Sequence, residues 1–145
     1  MIATAYDKVL LQKAKVIERC IARARQEYAA AQGNFSKDFT RQDAAVLNLQ
    51  RACEAALDMA QRIISVQGWG VAETSKDLFA LLHRNSVIDQ AMAKTLSNMV
   101  GFRNLAVHDY ETLNYDIVES IINKDCTDLL QFSEQMVKQF FGVKS

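Results

Sequence analysis

The stretch from Thr40 to Gly68, TRQDAAVLNLQRACEAALDMAQRIISVQG, decides the fold class. Thr40 followed by Asp43 places an N-cap hydroxyl ahead of an acidic first turn, which the helix dipole favours. Apolar residues then recur at helical spacing, with nothing to stop them before Gly68-Trp69-Gly70. The pattern predicts a long helix from about Thr40 to Gln67.

The same periodicity fills most of the chain on either side of this stretch. Upstream, a helix is expected from about Tyr6 to Ala31. Its early core stripe is Val9, Leu10, Lys13, Val16, Ile17 and Ile21, and Gly33-Asn34 supplies the stop. Downstream, a shorter helix starts at Thr74 or Ser75 and ends near Asn85. Asp89 caps a fourth, which runs through Met92, Leu96 and Met99 towards Leu105. Asn114 caps a fifth, with Ile117, Ile121, Leu129, Met136, Val137 and Phe140 as its buried face. Val137, Phe140 and Phe141 read as core or as a dimer seam rather than as chemical groups. Short connections between five helices give an all-α, up-and-down bundle, expected as one domain over residues 1–145.

The totals agree. The chain has 145 residues, enough to bury one core without disulfides or a metal. It contains no proline and five glycines, too few for the turns of a sheet protein. The 17 basic and 17 acidic residues cancel, which excludes the strong basic field of a stoichiometric nucleic-acid binder but not an enzyme with a local cationic site. Cys20, Cys53 and Cys126 are odd in number and far apart, without disulfide or zinc spacing, so they read as reduced core residues. No signal peptide and no bilayer-spanning run is visible, which places the chain in the cytoplasm.

One segment departs from plain bundle logic: Arg103-Asn104-Leu105-Ala106-Val107-His108-Asp109-Tyr110. It lies where the fourth helix runs out and holds one of only two histidines. Read conservatively, Arg103 and Asp109 are solvated and His108 caps a helix end. Read chemically, it concentrates a cation, an amide, an imidazole and a phenol.

Arg103, His108 and Tyr110 resemble the R-x4-H-x-Y signature of HepT toxins, within the wider HEPN group of helical ribonucleases. Asn104 is the polar residue that often follows the arginine there. Asp38-Phe39-Thr40, the run from Asn48 to Asp58, and Met99-Val100-Gly101-Phe102 match in character and in order. The resemblance implies a metal-independent endoribonuclease toxin with no cofactor, working as a homodimer on RNA. It also implies a cognate nucleotidyltransferase antitoxin of the MntA kind, which adds AMP to the motif tyrosine, here Tyr110. The other reading of the same family is a non-catalytic docking subunit for a nucleotidyltransferase.

The residue types suit that chemistry. Histidine exchanges protons near neutral pH, and arginine presents a permanently charged fork to phosphate oxygens. Asn104 either adds a hydrogen bond to phosphate or fixes the arginine. Along one regular helix, Arg103 and His108 stand roughly 140° apart in azimuth and about 7.5 Å along the axis. Either the helix breaks after about Leu105, or groups from two chains meet, as the resemblance implies.

Other features carry weaker signals. Arg51, Glu54, Asp58 and Arg62 share one face of the second helix, as a surface ion-pair ladder or with Glu54 or Asp58 beneath the motif. His83 has no partners at metal-ligand spacing. Trp69 either tucks its loop onto the bundle or is an exposed contact for a partner or a base.

Overall fold

A computed structural model describes residues 2–140, with side chains from Lys8 onward. The helix α1 (Ile2–Ala30) packs against α2 (Phe39–Gln67). Then come α3 (Ser75–Arg84), α4 (Gln90–His108), α5 (Tyr115–Ser120) and α6 (Cys126–Phe140). A π-helical turn, Ile121–Asp125, joins α5 to α6 without interruption, so the expected fifth helix is one rod with an internal π segment. No strand occurs among the described residues.

Most helix ends follow from local chemistry. Thr74 and Asp77 form a reciprocal capping box at the start of α3. Asp89 accepts from the Met92 N–H at 2.8 Å, and Asn114 from the Asp116 N–H at 2.9 Å. Gly68 closes α2 in the left-handed conformation, at φ 69°.

Two ends differ from expectation. The cap of α2 is Asp38, whose carboxylate accepts from the Arg41 N–H at 3.1 Å, and Thr40 lies inside the first turn. A carboxylate is the stronger acceptor and also complements the dipole, so it starts the helix sooner. After α1 the left-handed residues are Gln32 and Gly33, and Asn34 leads into a 3-10 turn at Phe35–Lys37.

One core joins all the helices. Leu10, Ile17 and Ile21 of α1 and Leu49, Ala52, Met59 and Ile63 of α2 are buried in it, and Phe79 meets Phe132 edge-to-face at 5.7 Å. Lys13 is not in that stripe; its ammonium pairs with Asp58 at 2.8 Å on the surface. Ile117 is 52% exposed, against expectation. The buried stripe of the last rod centres between Ile121 and Ile122, which places Val118 near its middle and Ile117 about 90° off it. Trp69 packs partly buried against the core, which ties its loop down. Cys20, Cys53 and Cys126 are free and buried, as expected. Phe140 is buried; Phe141 lies outside the described residues.

Candidate functional site

The α4 helix continues unbroken to His108. Of the two geometries the spacing allowed, the break after Leu105 is therefore excluded, and the backbone is capped by the Asp109 N–H donating to the Leu105 carbonyl at 2.8 Å. Arg103 and His108 consequently project from one rod in directions that differ by roughly 140°.

Arg103 is partly buried, and α2 holds it in place. Its Nη1 donates to the Asn104 side-chain oxygen at 2.7 Å. Of the two roles open to Asn104, fixing the arginine is the one the geometry displays. The Arg103 Nε stands 3.8 Å from the Glu54 carboxylate, too long for a hydrogen bond but close enough for charge attraction. That Nε is buried and has no hydrogen-bond partner, which leaves part of the fork's donor capacity unused. Asp58, by contrast, turns away to Lys13. The expected ladder on α2 is thus split: Glu54 goes to the motif and Asp58 to α1.

His108 is exposed at the last position of α4, and its ring makes no hydrogen bond. Leu105 and Val107 beside it are 43% and 45% exposed, so the end of α4 presents apolar surface around its polar groups. The next turn, Tyr110–Thr112, is 3-10 helical, and the Thr112 hydroxyl pins it to the Asp109 carbonyl at 2.9 Å.

That turn carries Tyr110 to α2, where its hydroxyl donates to the Asp43 carboxylate. Burial, then the hydrogen bond to Asp43, then the neighbouring Tyr115 hydroxyl hold the phenol well above the usual tyrosine range. The residue as a whole remains 37% exposed. Asp43 itself is exposed between Phe39 and Leu47, one turn away on either side, and both are solvent-facing.

The thiol nearest the motif is unfit for chemistry. Cys53 lies fully buried under α4, its Sγ 3.7 Å from the Met99 carbonyl, and burial pushes it far above the ordinary thiol value. Burial also pushes Cys126 up to about 12. His83 is satisfied by the Ile88 carbonyl at 3.0 Å, and no group of metal-ligating side chains occurs among the described residues.

Sequence reading located Arg103, Asn104, His108 and Tyr110, which the structure brings to the end of α4 and the turn after it. It missed Asp43, read only as a first-turn acid. The contact spans 67 residues and has no local signature.

The sequence profile described as ribonuclease HepT-like matches residues 17–136. The mRNA nuclease HepT of Shewanella oneidensis is 44% identical over 126 residues, covering 87% of this chain and 94% of the relative. A crystal structure of a toxin–antitoxin complex with AMP-PNP superposes at TM-score 0.85 with 41% identity, covering 91% of this chain and 98% of the other. A tri-AMPylated Shewanella oneidensis HEPN toxin in complex with MNT antitoxin superposes at 0.84 with 42% identity, covering 90% and 97%.

Proposed function

The chain belongs to the ribonuclease HepT-like family, and from that premise we propose that it is an RNA-cleaving toxin whose active site is shared by two copies of the chain. The carrying observation is the intact α4 helix, which sets Arg103 and His108 on diverging directions. One copy aims poorly at a single phosphate, whereas two α4 ends related by a two-fold axis supply two guanidinium and two imidazole groups to one groove. The exposed Leu105 and Val107 around the motif favour such a contact, since the partner's surface would remove them from water.

In that groove Arg103 binds the non-bridging phosphate oxygens, with Asn104 and Glu54 fixing its angle. One His108 takes the proton of the ribose 2′-hydroxyl as its oxygen attacks phosphorus. The other protonates the departing 5′-oxygen, so the products are a 2′,3′-cyclic phosphate and a free 5′-hydroxyl. No step requires a metal. No helix among the described residues is long and apolar enough to cross a membrane, and the reduced, buried cysteines suit a cytoplasmic setting.

Restraint of the toxin follows from Tyr110. The residue is partly exposed two positions beyond His108, and a close relative is solved in tri-AMPylated form with its antitoxin. A cognate nucleotidyltransferase adenylylates Tyr110, and the added phosphate competes for Arg103 and repels RNA.

The test is cleavage of RNA by the purified, unmodified chain in EDTA, with the new ends identified. Cyclic phosphate ends are expected. Cleavage that stops in EDTA, or that persists in both His108→Ala and Arg103→Ala, refutes the assignment.

A further inference from the structure

Adenylyl transfer to a tyrosine has a chemical requirement that Tyr110 itself does not meet. A phenol attacks phosphorus well only as it loses its proton, and an ordinary tyrosine is almost wholly protonated at neutral pH. The surroundings of Tyr110 hold that proton more tightly still. The transfer therefore needs a proton acceptor within hydrogen-bond reach of the phenolic oxygen. The structure supplies one from within the chain: the Asp43 carboxylate, which already accepts the Tyr110 hydroxyl hydrogen.

We propose that Asp43 is a catalytic residue of Tyr110 adenylylation, acting as the general base that the toxin contributes to its own modification. This rests on Tyr110 being the acceptor, as argued above. The Tyr110 oxygen attacks the α-phosphorus of ATP, and a phosphorus–oxygen ester bond forms. The bond from that phosphorus to the bridging oxygen breaks, and pyrophosphate leaves with the electron pair. The phenolic proton passes to the Asp43 carboxylate and then to water.

The placement suits the role. Asp43 is fixed on α2, a long helix anchored in the core, whereas Tyr110 rides on a short 3-10 turn. Both groups are at the surface, within reach of a docked enzyme. After transfer the ester oxygen has no hydrogen left to donate, so the contact with Asp43 cannot re-form. The carboxylate and the new phosphate then repel each other, which makes the step a one-way release from α2.

The experiment incubates the purified chain with its cognate nucleotidyltransferase and magnesium ATP, and follows adenylate gain by intact mass. Asp43→Asn keeps the size and a hydrogen-bond acceptor but is no base; its kcat should fall by about a hundredfold or more with KM little changed. Asp43→Glu keeps a carboxylate and should stay within about tenfold of the parent chain. A purely structural contact gives the opposite order, with asparagine near the parent rate. Asp43→Asn reacting at the parent kcat, or losing only KM, overturns the role of Asp43 and leaves Tyr110 as acceptor. A parent chain that gains no adenylate, or a Tyr110→Phe chain that gains as much, overturns the acceptor assignment and the base with it.

Discussion

The chain has two histidines, and both occupy the last turn of a helix. His83, at the end of α3, has its Nδ1 tied to the Ile88 carbonyl at 3.0 Å, a bond that closes its own loop. His108, at the end of α4, has no such tie, and it stands among exposed apolar side chains, on a different side of the helix from Arg103. Equal residue type and equal position in a helix thus give unequal availability. The fold uses one imidazole as a loop fastener and leaves the other with both ring nitrogens open to a substrate.

The sharpest way to break this contrast is to remove each ring in turn. His108→Ala is expected to lower RNA cleavage by about 10²–10⁴-fold with the thermal melt unchanged. His83→Ala should leave cleavage near the parent level while lowering stability by about 0.5–1.5 kcal/mol, the worth of one hydrogen bond. Equal losses of activity in the two variants would erase the distinction.

A smaller effect separates charge from shape at the arginine. Arg103→Lys keeps the positive charge but loses the planar fork and the bond to Asn104. Cleavage should fall by about 10–100-fold, the cost of one or two charge-assisted hydrogen bonds. A fully active lysine variant would mean that only charge matters.

Smaller again is the effect of Glu54, which stands off Arg103 by 3.8 Å. Glu54→Gln should slow cleavage by no more than about fivefold, as expected of a partly exposed pair. The matching change at Asp58, whose partner is Lys13, should leave cleavage alone.

The smallest expected effect is spectroscopic. Tyr110 should ionise above the usual tyrosine range in an ultraviolet titration, and Asp43→Asn should lower its midpoint, since burial and the Asp43 bond both act against the phenolate. The folded chain holds this proton more tightly than the unfolded one does. The resulting stability is therefore whole below about pH 10 and is lost as pH rises through the folded value. A Tyr110 midpoint that ignores Asp43 would show the contact to be slack in solution.

What could be read from sequence divides along the same line. The caps Asp89 and Asn114 were legible because a cap and its target lie within three residues. The motif was legible because its members share eight consecutive positions. Lys13 was misread as core because its partner Asp58 is 45 residues away on another helix. Ile117 was misread because the π turn and Val118 set the centre of the buried stripe, and periodicity alone allows either face. Tyr110–Asp43 was missed for the reason Lys13 was misread: only packing of α2 against the end of α4 creates it.

The shared site proposed above needs an imidazole from each of two chains. A single-chain tandem dimer with His108→Ala in one half only tests it directly, by the rate of RNA cleavage in EDTA. A fall close to that of the doubly substituted dimer is predicted, because acid and base come from opposite halves. Retention of about half the parent rate would show instead that each half holds a complete and independent site, and would overturn the shared one.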